Sequence, residues 1–217
     1  MQISTRHAYG AVLEGPEGRL GTLYDVLFDD RTWKARHLLI SRDRWFHGRQ
    51  VLVAPEAVRH TDWANRRLSS AMTKQEIEKC PGPETELATP GREAAQAAQV
   101  LVWEAYWTGV LDSADQQPGD SHLRSTKVLN GLHVHCTDGM FGHIDDFLID
   151  DQDWTITHLV VETRNWWPGK HVLVPPSAIR SIRWEDGEIH LSLTRSQVLA
   201  CPAYEGMPGG HPMDAKS

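Results

Sequence analysis

The stretch Gly21-Thr22-Leu23-Tyr24-Asp25-Val26-Leu27-Phe28-Asp29-Asp30 returns 121 residues later as Gly142-His143-Ile144-Asp145-Asp146-Phe147-Leu148-Ile149-Asp150-Asp151. Carried outward without a gap, the match lays residues 4–81 over 125–202, with 24 of the 78 positions identical. Trp33/Trp154, His37/His158, Trp45/Trp166, Gly48/Gly169, Trp63/Trp184, the triplets at 51–53 and 172–174, and Cys80-Pro81/Cys201-Pro202 are among them. Solenoid repeats run roughly 20–50 residues. A unit of this length instead holds a small core of its own. The chain reads as two copies of one domain: 1–81, then a connecting segment 82–122, then 123–202, then a tail 203–217.

Within each copy the pattern is that of short strands. Gly-containing turns at 14–18 and 137–139 separate apolar stretches, a hairpin signal. The strands that start at Gly21 and Gly142 end at Asp29-Asp30 and Asp150-Asp151, where adjacent aspartates are ordinary turn chemistry. Residues 33–40 and 154–161 alternate at first and then become apolar on both sides, which predicts a strand buried on both faces at its end. Val51-Leu52-Val53 and Val172-Leu173-Val174 are β-branched strands stopped by prolines. Two more strands are expected near 58–63 and 68–70, with equivalents at 179–184 and 188–193. Thr73-Lys74-Gln75-Glu76 and Thr194-Arg195-Ser196-Gln197 fit the capping box of a short closing helix. The expected fold is mainly β: two tandem small barrels, each closed by a C-terminal helix. The joining segment carries a helix over about 92–107, where Val100, Trp103, Tyr106 and Trp107 fall on one side.

The matching segments at 142–150, His158-Leu159-Val160-Val161-Glu162-Thr163, Asn165-Trp166-Trp167-Pro168-Gly169-Lys170 and Val172-Leu173-Val174-Pro175 resemble the PRC-barrel family. That family includes the cytoplasmic barrel of the photosynthetic reaction-centre H subunit, and a ribosome maturation factor carries a related barrel. The resemblance covers both copies and is closer in the second; the first departs at Arg42-Asp43-Arg44-Trp45-Phe46-His47. In both relatives the barrel docks on other proteins, so the resemblance implies a bacterial protein-interaction module. A role in photosynthetic electron transfer is not implied, because no membrane helix is evident here.

Composition limits the alternatives. The formal net charge is −7, with no dense Lys/Arg block, which disfavours RNA or ribosome binding through phosphate neutralisation. Residues 1–6 contain no apolar signal core, and no run approaches a membrane span. The expectation is a cytoplasmic protein whose contact with the inner membrane, if any, is made through a partner. Three cysteines, Cys80, Cys136 and Cys201, do not form a disulfide framework. No phosphate loop, nucleophile elbow or paired-cysteine zinc motif occurs, so no cofactor and no catalytic residue is expected.

The candidate partner-binding residues are the aromatic pairs Trp45-Phe46 and Trp166-Trp167, with Trp103 and Trp107 of the connecting segment. Tryptophan is enriched in binding hot spots. The competing reading packs these rings against their own barrel or the other copy. A protein partner or a homodimer is the expected occupant. His133 and His135 alternate onto one strand face and His143 follows across the hairpin, an arrangement open to a metal ion. The first copy has Val12, Glu14 and Thr22 at those positions, so a solvated polar face is the competing reading. A metal- or small-ligand-responsive sensor or enzyme in the cleft between the copies is therefore the alternative function. His37/His158 are expected to be partly buried, with pH sensing as their alternative role.

Overall fold

The computed structural model describes residues 1–42, 50–83, 122–163, 170–183 and 186–206. The first copy runs β1 (Gln2–Ser4), α1 (Thr5–Ala8), β2 (Val12–Gly15), β3 (Gly18–Asp29), β4 (Ala35–Ser41), β5 (Gln50–Val53), β6 (Val58–Asp62), β7 (Arg67–Ser70) and α2 (Lys74–Lys79). The second repeats it as β8 (Leu123–Ser125), α3 (Thr126–Leu129), β9 (His133–Cys136), β10 (Gly139–Asp150), β11 (Ile156–Glu162), β12 (His171–Val174), β13 (Ile179–Arg183), β14 (Glu188–Leu191) and α4 (Arg195–Leu199). The protein is mainly β, with two seven-stranded sheets. One follows the path β5-β4-β3-β2-β7-β6 and the other β12-β11-β10-β9-β14-β13. Among the described residues no pairing joins the two ends of either path.

Local chemistry explains most elements as the sequence predicts. Both closing helices carry full capping boxes, Thr73 with Glu76 and Thr194 with Gln197. Leu38, Leu39 and Ile40 are all buried, as are Leu159, Val160 and Val161, so β4 and β11 end covered on both faces. The strands begin later than expected. Trp33 and Trp154 lie outside them with φ of +59° and +60°, a left-handed conformation that is a genuine outlier for so bulky a residue. Tertiary hydrogen bonds hold them there: the Ala35 N–H donates to the Trp154 carbonyl and the Ile156 N–H donates to the Trp33 carbonyl. Gly21 and Gly142 are needed for a different reason. A Cβ on either would run into the carbonyl of the neighbouring strand, at Ser41 or Glu162.

The seventh strand of each sheet comes from the other copy. β1 pairs with β10, in register Gln2–Asp150, Ile3–Ile149 and Ser4–Leu148. β8 pairs with β3, in register Leu27–Ser125, Phe28–Arg124 and Asp29–Leu123. Each long strand is paired along one edge by β4 or β11, and at the start of its other edge by β2 or β9. The exchanged strand completes that second edge.

Two reciprocal buried clusters fasten the exchange. Asp25 accepts from the Ser125 hydroxyl, the Thr126 hydroxyl at 2.9 Å and the Lys127 N–H at 3.3 Å. Asp146 accepts from the Ser4 and Thr5 hydroxyls and from the Arg6 N–H at 3.2 Å. Each aspartate also accepts the N–H of the next residue, Val26 or Phe147, at 2.8 Å. The second aspartate of each turn adds an outer clamp. The Asp30 N–H donates to the His122 carbonyl and its carboxylate pairs with His122 and Arg124. The Asp151 N–H donates to the Met1 carbonyl and its carboxylate accepts from Thr61 and from the Trp63 indole at 2.8 Å. The larger of two apolar clusters among the described residues then runs through both copies. At its centre the Phe28 and Phe147 rings lie 6.2 Å apart, and Trp63 meets Trp154 edge-on at 6.3 Å.

Removing either buried aspartate takes the acceptor from two hydroxyls and two N–H groups in a buried interface, although the Thr126 hydroxyl keeps the Val26 carbonyl and the Tyr9 hydroxyl as partners. Asp25→Ala and Asp146→Ala are each expected to lower stability by about 3 kcal/mol. Ser125→Ala, which removes one donor, is expected to cost about 1 kcal/mol. Urea unfolding followed by tryptophan fluorescence measures all three.

Candidate functional site

The aromatic candidates Trp45, Phe46, Trp103, Trp107, Trp166 and Trp167 lie outside the described residues. The histidine candidates lie within them, on the outer face of the second sheet. His143 faces His133 across the β10–β9 pair, while His135 faces Met140. The described structure does not join the three in one cluster. His135 groups with Glu188 and His190, His143 groups with Asp145 and Glu162, and His133 stands exposed.

Strand pairing sets this polar face in a continuous row. His171 on β12 is in register with Glu162 on β11, and Glu162 with His143 on β10. His143 is in register with His133 on β9, His133 with Glu188 on β14, and Glu188 with Arg183 on β13. The same row in the first sheet reads Gln50, Ser41, Thr22, Val12, Arg67 and Asp62. Identical backbone pairing thus carries a titratable belt in one copy and a largely neutral one in the other. Reading the repeat for positions that change character would have found Glu162, His171, Glu188 and His190, all missed when identities alone were compared.

The first cluster is anchored by the opening helix of the other copy. Arg6 grips Asp145 with both guanidinium nitrogens, at 2.6 and 3.1 Å. His171 Nε2 lies 3.3 Å from Asp145 Oδ2, and His143 Nε2 lies 2.8 Å from Glu162 Oε2. In the first copy the equivalent of Asp145 is Tyr24, and the Nζ of Lys127, the counterpart of Arg6, sits 3.4 Å from the centre of the Tyr24 ring. An ion pair and a cation–π contact therefore do the same mechanical job on the two sides. Burial raises Asp145, but His171 and Arg6 outweigh it and hold its carboxyl below the usual range. The hydrogen bond to Asp145 raises His171 above the usual imidazole value, against the effect of burial.

The second cluster lies on the parallel pair β9–β14, where His135 is in register with His190. Glu188 reaches both rings, Oε1 at 3.2 Å from His135 Nε2 and Oε2 at 3.0 Å from His190 Nε2. The two imidazoles stack with centroids 5.0 Å apart.

Asp29 accepts the N–H groups of Arg31 and Thr32, a turn motif as the sequence predicts. Burial raises its carboxyl, but those N–H groups and the Arg31 side chain bring it down to about 2. His158 is half-buried, with no partner for Nδ1, and burial lowers its pKa. The three cysteines are free thiols. The cleft between the copies is an open groove of about 360 Å³ bordered by Lys34, Glu56, Arg59, His60, Asp151 and Trp154. No helix among the described residues is long and apolar enough to cross a membrane. Comparison of the sequence with models of known families and with curated proteins gives no match.

The His171–Asp145 pair should be visible in the stability profile. Because the folded state raises His171, its contribution is complete below about pH 6.5 and is lost as pH rises through the higher folded value. Because the folded state lowers Asp145, its contribution is complete above about pH 3.9 and is lost on acidification. The melting-temperature advantage of the wild type over His171→Gln, which installs the residue of the first copy, is expected to shrink between pH 6 and pH 8.5. Calorimetry of both proteins across that range measures it.

Proposed function

We propose that this chain is a non-enzymatic assembly module, two PRC-type barrel units locked together by strand exchange, which docks on a protein partner or on a second copy of itself. The observation that carries this reading is the exchange itself. The unit associates by lending a strand to a neighbour's open edge, the same main-chain chemistry by which extended segments are recognised at sheet edges. The hollows support it as well. Two hollows among the described residues, of about 360 and 240 Å³, are open to solvent and lined mainly by polar groups. Small-molecule sites are more often enclosed and apolar. The aromatic pairs Trp45-Phe46 and Trp166-Trp167 are the docking residues in this reading, with Trp103 and Trp107 extending the surface.

Replacing Trp166 and Trp167 together by alanine is expected to cost at least about 2 kcal/mol of binding, roughly 30-fold in affinity. Affinity capture from the native cell, with light scattering for self-association, measures it against the wild type. A double variant that unfolds, or a wild type that captures nothing and stays monomeric, would overturn the reading.

A further inference from the structure

The His135–Glu188–His190 cluster has no counterpart in the first copy and no part in the exchange of strands. Its three positions are occupied there by Glu14, Arg67 and Ser69, and Arg67 neutralises Glu14 through an ion pair at 3.3 Å. In the second copy that self-contained pair is replaced by two imidazoles and one carboxylate. Strand alternation fixes their direction. Val134 and Ile189 are fully buried, so His135, Glu188 and His190 share the opposite, outward face. Their side chains keep 20%, 24% and 26% exposure, enough for an ion to enter from solvent.

We propose that His135, Glu188 and His190 bind a divalent transition-metal ion of the zinc type. Two imidazoles with one carboxylate suit zinc, nickel, copper or ferrous iron, whereas magnesium and calcium take all-oxygen sites. The ligating atoms of the three residues lie within 4.8 Å of one another. The individual separations are 3.2 and 3.0 Å, close to the roughly 3.3 Å between neighbouring ligands that lie ~2.0–2.1 Å from a tetrahedral ion. Three protein ligands leave at least one coordination position for water or for a group from a partner. The nearby Cys136 thiol does not compete, because strand alternation puts it with Val134 on the buried face of β9, opposite His135. The His143–Asp145–Glu162 trio is different, since Arg6 already supplies its cation.

The test uses the untagged full chain, stripped with a chelator and titrated with Zn²⁺ by calorimetry and with Co²⁺ by visible absorption. One equivalent should bind saturably, and the cobalt spectrum should show mixed nitrogen–oxygen ligation. His135→Ala/His190→Ala should weaken binding by at least ~100-fold, the upper end of what losing even a supporting residue costs. Glu188→Gln should also weaken it, and His143→Ala should leave it unchanged. If the double alanine variant fails to fold, the triple change His135→Glu/Glu188→Arg/His190→Ser installs the trio that the same backbone already supports in the first copy. That variant should fold and bind no ion. The proposal is overturned if the wild type shows no saturable binding. It is equally overturned if a folded cluster variant still binds like the wild type, or if His143→Ala removes the ion as completely.

Discussion

A carboxylate placed in a dry interface must be fully hydrogen-bonded or the interface does not form, and this chain applies that constraint twice. Asp25 and Asp146 sit in the middle of the two long strands, and every donor they use from another segment comes from the opposite copy. Burial raises the pKa of Asp25, while Ser125, Thr126 and the Val26 N–H act against that rise. Directional bonds of this kind specify one arrangement where apolar contact alone would tolerate several. The Ser-Thr pair must arrive with its strand in register, and the register then aligns the aromatic rings at the shared core. The left-handed tryptophans follow from the same geometry, because their carbonyls are committed to the facing copy.

The two copies have kept this seam alike and made their outer faces different. Ser4-Thr5/Ser125-Thr126, Asp25/Asp146, Trp33/Trp154 and Asp29-Asp30/Asp150-Asp151 are identical pairs. Along the outer row every position differs between the copies. A duplicated domain gains chemistry this way without disturbing its fold, since outward side chains of a strand are free to change while the inward ones are held by packing.

Much of this was legible in the sequence. Capping boxes, Gly turns, proline stops and the two-sided burial of β4 and β11 are local effects, and local patterns record them. The exchange of opening strands was not legible, for a reason specific to symmetric repeats. If Ser4 bonded Asp25 and Ser125 bonded Asp146, the aligned sequence would look the same as it does with Ser4 on Asp146 and Ser125 on Asp25. Identity between copies reports that a contact exists, and does not report which copy supplies the partner. The histidine cluster was half visible. His133 and His135 were found by their alternation along one strand, but Glu188 and His190 approach through a parallel pairing more than fifty residues away in sequence, which periodicity does not record. The aromatic pairs lie outside the described residues, so their reading rests on composition.

The crossing of β1 and β8 also sets an order of events during synthesis. The second edge of β3 stays incomplete until residues 123–125 leave the ribosome, about 40 residues after the first copy ends. At ~5–20 residues per second that is an interval of about two to eight seconds. Throughout it the nascent first copy presents an unpaired strand edge and an aspartate still bonded to water, and its own β1 is waiting for a strand not yet made. The long connecting segment governs how soon the two ends can meet, and a chain released before its second copy is complete would carry an open edge ready to capture the opening strand of another molecule.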